Sequence, residues 1–204
     1  PPVVGETSID PAEDVTTSTL LTCSAVYSDL DLEETPDSEE LDVGHIWTSA
    51  DGTELGSGAE LQLDPTSVAP NDALTCTTTV TDSSGETASA SSSVSTENSV
   101  PAVDSGTITP DSGVVQGTEL LCAAAASDPD LGEPAIAYEW TNAGAVVSSE
   151  ASYTIALDTA VKGDMLVCTV TATDAHGGTA TGTAEATVEN SPPTLDVSFL
   201  PETA

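Results

Sequence analysis

Basic residues are almost missing from this chain: Lys162 stands alone against thirty-five Asp and Glu, for a formal net charge of -34. Phosphate backbones are bound by clustered Lys and Arg, so nucleic acid is excluded as a partner, and anionic membrane surfaces are excluded with it. Histidine is scarce too. His45 and His176 fall in different halves of the sequence, neither in an H-E-x-x-H or nucleophile-elbow context, so no enzyme is expected and neither ring is expected to be a ligand. The aromatic residues are two Trp, three Tyr and one Phe, which excludes a richly packed core and gives any cross-link or bound metal more weight. No window approaches the roughly 18 apolar residues of a membrane-spanning helix, so direct membrane insertion is not expected. None of Asn71, Asn98, Asn142 and Asn190 opens an N-x-Ser/Thr sequon. The opening Pro1-Pro2-Val3-Val4 is no signal peptide, and the chain is expected to be a mature or excised piece of an exported protein.

Four cysteines are present, and they are ordered. Trp47 lies between Cys23 and Cys76, and Trp140 lies between Cys122 and Cys168. This repeated Cys, Trp, Cys series resembles that of immunoglobulin-type sandwiches, where a disulfide joins strands B and F and a strand C Trp packs on it. The resemblance implies Cys23–Cys76 and Cys122–Cys168 bridges, and bridges imply an oxidising compartment. Closing the Cys23–Cys76 loop would stabilise by about 4 kcal/mol in the chain-entropy model.

Aligning Cys23 with Cys122 brings Asp29 onto Asp128, Asp31 onto Asp130, Glu34 onto Glu133, Asp82 onto Asp174, and Glu97-Asn98-Ser99 onto Glu189-Asn190-Ser191. The period of about 95 residues is too long for a solenoid and suits beads on a string. The expected fold is therefore all-β: two tandem immunoglobulin-like sandwiches, residues 1–99 and 100–191, with 192–204 opening a third repeat or serving as a strand for assembly. Period-2 alternation marks the strands. Leu21, Cys23 and Ala25 should face inward on strand B, and Leu74, Cys76, Thr78 and Val80 on strand F. In the second repeat Leu120, Cys122, Ala124, Leu166, Cys168 and Val170 take those places, with Ala180, Gly182, Ala184, Ala186 and Val188 on strand G. Leu61 and Leu63, or Tyr153, Ile155 and Leu157, supply strand E. No amphipathic helix is expected, and at most a helical turn near Ala160 to Asp164.

The acidity is patterned as well. Between strands B and C the second repeat reads Asp128-Pro129-Asp130-Leu131-Gly132-Glu133, and the first reads Asp29-Leu30-Asp31-Leu32-Glu33-Glu34. Carboxylates spaced by two in a turn suit calcium, which takes 6 to 8 oxygen ligands. In such a sandwich the BC and FG loops share one end, so Asp174 should join Asp128, Asp130 and Glu133, and Glu97 and Asn98 should meet them from the exit of the first repeat. Asp29, Asp31, Glu34 and Asp82 would await a preceding domain, while Glu189 and Asn190 would offer theirs to a following one. The competing reading is that the loops are simply solvated, in a chain made acidic throughout by a high-salt habitat. The insertion within Thr35 to Asp42, with Asp37, Glu39 and Glu40, is expected to be a solvated loop.

Ala126-Ser127-Asp128-Pro129-Asp130, Tyr138-Glu139-Trp140-Thr141-Asn142, Val161-Lys162-Gly163-Asp164 and Asn190-Ser191-Pro192-Pro193 resemble phrases of the tandem Ig-like, PKD-like and cadherin-like repeats of large prokaryotic surface proteins. The paired cysteines depart from many of these. The resemblance implies a secreted or cell-surface stalk, adhesin spacer or fibre unit, with calcium as the bound ion and neighbouring repeats, or copies of the same protein in a homopolymer, as partners. The alternative from a different class is a recognition module binding a protein or glycan through its acidic BC and FG loops.

Overall fold

The computed structural model describes residues 1–29, 41–157 and 159–191. Among them every regular element is a strand, as the period-2 pattern and the wealth of Thr and Val dictate. The chain divides into two compact units. The first comprises Pro1–Val100 together with the short segments Asp128–Glu133 and Asp174–Gly178; the second comprises Pro101–Ser127, Pro134–Thr173 and Thr179–Ala204.

In the first unit β1 (Pro2–Asp10), β2 (Leu20–Asp29) and β5 (Glu60–Gln62) form one sheet in the order β1-β2-β5. The facing sheet orders β4 (Glu54–Ser57), β3 (Asp42–Ser49), β6 (Ala73–Thr81) and β7 (Thr87–Ser95) as β4-β3-β6-β7. All pairings are antiparallel. Cys23 on β2 and Cys76 on β6 are bonded across the sheets with Cα atoms 6.4 Å apart. Trp47 on β3 is opposite Cys76 in the β3–β6 register and fully buried, and its indole N–H donates to the Gly58 carbonyl at 3.0 Å. Leu21, Leu63, Val68, Leu74 and Val94 close the core around them.

The second unit repeats the plan. Its sheets are β8 (Ala102–Thr109), β9 (Glu119–Ser127) and β12 (Ser152–Thr154) in the order β12-β9-β8, and β10 (Ala135–Asn142), β11 (Ala145–Ser148), β13 (Met165–Thr173) and β14 (Thr179–Thr187) in the order β11-β10-β13-β14. Cys122 and Cys168 are bonded with Cα atoms 6.5 Å apart. Trp140 is again opposite the strand F cysteine, and its N–H donates to Glu150 O at 3.1 Å. A tilted contact of 5.9 Å between ring centroids joins it to Tyr153. Each chain segment thus carries the expected immunoglobulin-like sandwich with its inter-sheet disulfide.

One local expectation is corrected. Leu157 does not extend strand E into the core: β12 ends at Thr154, Ile155 is the last inward residue there, and Leu157 is 69% exposed. The chain turns away through a Thr159 N–H to Ala156 O bond, and Ala160 fills the interior instead. No helical turn forms at Ala160 to Asp164. The segment is a reverse turn closed by Asp164 N–H on Val161 O at 3.0 Å, with Gly163 at φ +95° and the Asp164 carboxylate accepting Val161 N–H. The positive φ favours glycine and interrupts helix. The Thr35 to Glu40 part of the acidic insertion, Asp31, Glu34, Asp158 and the third opening at 192–204 lie outside the described residues.

Candidate metal centre

Within the first unit, the stretch after β7 is anchored by Glu97 N–H donating to Val15 O at 2.6 Å, which sets Asn98 and Ser99 beside the buried Thr17. Asp130 is gathered in there. Its Oδ1 accepts the Thr17 hydroxyl at 2.6 Å and the Ser99 hydroxyl at 3.2 Å, and its Oδ2 accepts Ser99 N–H at 2.6 Å. Asp128 caps its own turn by accepting Asp130 N–H on Oδ1 at 2.7 Å. Asp174 closes a similar turn, accepting His176 N–H and Gly178 N–H on Oδ1, both at 2.8 Å, while its Oδ2 takes the Asn98 amide at 2.9 Å. That amide bond, followed by the backbone donors, holds the Asp174 carboxyl below the usual carboxylate range against the opposing effect of desolvation.

Four of the residues singled out from the sequence, Asn98, Asp128, Asp130 and Asp174, therefore lie in this one compact unit, each at least half-buried. Glu97 and Glu133 belong to it as well, but both side chains are exposed. Two acceptors in the group are buried and lack any donor: Asn98 Oδ1 and Asp128 Oδ2. Among the described residues no three carboxylates bring one oxygen each within 4.8 Å of one another; the trio that meets that limit is Cys23, His45 and Cys76. Each Asp is turned instead toward protein hydroxyls and amides, as mutual repulsion requires of like charges in a partly dry site.

The corresponding groups of the first repeat are Asp29 and Asp82, both buried. Asp82 Oδ1 accepts Ser84 Oγ at 2.7 Å, Ser84 N–H at 3.0 Å and Glu86 N–H at 2.8 Å, and the Ser84 hydroxyl is the chief cause of its lowered pKa. The α-amino group of Pro1 stands 3.7 Å from Asp29 Oδ1 and 3.7 Å from Glu86 Oε2. In the second unit Glu189 is spent locally: its Oε1 accepts Gly113 N–H at 2.8 Å, while the Asn190 amide bonds Ser191 O.

Sequence reasoning missed Thr17, Ser99 and Gly178. The last is marked by repeat comparison, since Glu86 occupies the same turn position in the first repeat. A Cβ at Gly178 would collide with Asp174 Oδ2 and the Asn98 amide nitrogen. Gly178→Ala is accordingly expected to break the Asn98–Asp174 bond and destabilise the first unit by about 1–2 kcal/mol, read from urea denaturation.

Acid should act through the same turns. Asp51, whose Ser49 hydroxyl and Thr53 backbone bonds lower its pKa to about 2, Asp82 and Asp174 all titrate lower than an unfolded carboxyl at about 3.9. A depressed folded pKa gives stability that is complete above the unfolded value and lost as pH falls through the folded one. Stability should therefore decline from about pH 4 downward, for Asp51 until about pH 2, and Asp82→Asn should flatten that decline in denaturant melts taken across the range.

No protein-family model matches the chain, and no curated protein matches it. Solved structures do. It is similar to three N-terminal domains of the highly immunogenic outer capsid protein of bacteriophage RB49, at 16% identity and TM-score 0.33, covering 92% of this chain and 59% of that one. Fibronectin(III)-like modules of Clostridium thermocellum CbhA are similar at 18% identity and TM-score 0.33, over 90% and 94% of the two chains. A Ca2+-stabilized adhesin that helps an Antarctic bacterium bind ice is similar at 15% identity and TM-score 0.31, over 91% and 48%. The chain thus spans 59% and 48% of the capsid and adhesin structures and nearly the whole of the CbhA one. Its tandem immunoglobulin-like architecture rests on its own strand order, inter-sheet disulfides and buried tryptophans.

Proposed function

We propose that the chain is a non-catalytic structural repeat of a secreted or cell-surface stalk, adhesin spacer or filament, stiffened by calcium held at Asn98, Asp128, Asp130 and Asp174. The observation that carries this is the surplus of acceptors: Asn98 Oδ1 and Asp128 Oδ2 are buried with no donor, in the company of two further carboxylates. A buried acceptor without a partner costs about 1–3 kcal/mol, and a hard cation removes that cost at both atoms while neutralising the carboxylates. Calcium fits this set better than magnesium, because it accepts mixed carboxylate, amide and water oxygens in flexible geometry, whereas magnesium demands a near-ideal octahedron. Glu97 and Glu133 would add ligands from the exposed side. Calcium would thereby tie the Asn98–Ser99 stretch to the 128–133 and 174–178 segments within the first unit.

Catalysis plays no part in this reading: the His45 ring is engaged with the Thr78 hydroxyl and the His176 side chain lies exposed in a turn. The test is calcium titration of chelator-treated protein by calorimetry, paired with thermal melts. Saturable binding is expected, with stabilisation of about 2.7 kcal/mol at one hundred times Kd. The Asp130→Asn, Asp174→Asn double variant should show neither. A melt indifferent to calcium, with no saturable heat, would rule the site out.

A further inference from the structure

A second cluster lies away from the acidic loops, on the inner face of the first sandwich. His45 is opposite Thr78 in the β3–β6 register, one inward step from the Trp47–Cys76 pair. Its Nδ1 is 2.9 Å from Thr78 Oγ1, and that same buried hydroxyl is 3.7 Å from Cys23 Sγ. Ligand atoms of Cys23, His45 and Cys76 all lie within 4.8 Å of one another. An open cavity of about 600 Å³, lined by Cys23, Tyr27, Val43, His45, Gly58 and Ala59, leads to them. Among the described residues the second sandwich has no such cluster: Tyr138 and Val170 occupy the positions of His45 and Thr78 in the equivalent register.

We propose that this corner is a redox-gated site for a thiophilic divalent cation such as Zn2+. While Cys23 and Cys76 are bonded, their sulfurs are poor ligands. A dithiol reductant exchanges with the bond: the S–S bond breaks, its two thiol hydrogens pass to Cys23 and Cys76, and the dithiol closes to its own disulfide. Zn2+ then binds both sulfurs, releasing two protons to solvent, and takes an imidazole nitrogen of His45 as third ligand. The Cα separation of 6.4 Å leaves the two side chains room to flank an ion instead of each other. The Thr78 hydroxyl fixes the ring through its contact at Nδ1, and the cavity leaves the fourth position to water, the arrangement of an open rather than a purely structural zinc site.

The test uses the full chain, reduced by a dithiol, freed of it by anaerobic gel filtration, and titrated with Co2+ as a spectroscopic stand-in for Zn2+. The expected result is one equivalent with thiolate-to-cobalt charge-transfer absorption, absent from the oxidised chain. His45→Tyr, which reproduces the second repeat, should weaken binding by about tenfold or more, and Thr78→Val by about tenfold. Removing the other bridge with Cys122→Ser and Cys168→Ser should leave the spectrum unchanged, which separates this site from general thiol binding. Circular dichroism accompanies each step: a reduced chain that has lost its fold must regain it with Zn2+. No charge-transfer band, undiminished affinity in His45→Tyr, a band lost with Cys122 and Cys168, or a reduced chain that stays unfolded in Zn2+ would each overturn the proposal.

Discussion

Trp140→Ala is expected to destabilise the second sandwich by about 3–5 kcal/mol, against a total stability of about 5–15 kcal/mol for a domain of this size. Three losses coincide. The indole is fully buried against the Cys122–Cys168 bridge, so its removal leaves a cavity that small neighbours such as Ala124, Ala160, Ala184 and Ala186 cannot refill. Its contact with Tyr153 disappears, and Glu150 O loses its donor. With so few aromatic residues no other side chain can substitute. Denaturant unfolding followed by circular dichroism should show the transition assigned to the second unit moving to much lower denaturant. A loss below about 1 kcal/mol would mean that the disulfide, not the ring, organises this core.

Asp130→Ala is the second large effect. Thr17 is 1% exposed and its hydroxyl, with the Ser99 N–H and hydroxyl, depends on this carboxylate. Charge-assisted bonds of that kind contribute about 1.5–3 kcal/mol each at best, and they are shared at one group, so about 3 kcal/mol is expected for the first unit. Calcium separates the two roles of the residue. Were Asp130 only an acceptor for Thr17 and Ser99, the variant would cost the same in chelator and in calcium. As a ligand it should cost about 2.7 kcal/mol more at calcium one hundred times Kd, because the linkage term is lost as well. Melts of wild type and variant under both conditions give the difference directly.

The scaffold was legible because its signals are local and doubled. Cys23, Trp47 and Cys76 recur as Cys122, Trp140 and Cys168, and alternation along Leu74, Cys76, Thr78 and Val80 describes the buried face that the structure shows. Leu157 misled because a period-2 pattern says nothing of where a three-residue strand stops. At the acidic loops the sequence pointed to Asp128, Asp130 and Asp174 through their spacing, yet gave no sign of what holds them. Thr17 is 113 residues from Asp130, and a lone hydroxyl carries no periodicity. Gly178 and His45 were readable only as departures of one repeat from the other, against Glu86 and Tyr138, and only the packed neighbours give those departures meaning.

The calcium proposal places Asn98, Asp128, Asp130 and Asp174 around one ion. A crystal structure of the calcium-replete chain, with anomalous data, measures this most directly. An anomalous peak is expected, with carboxylate oxygens of all three aspartates and Asn98 Oδ1 at about 2.3–2.6 Å. Aspartates still facing Thr17, Ser99 and the Asn98 amide, with no peak among them, would contradict it.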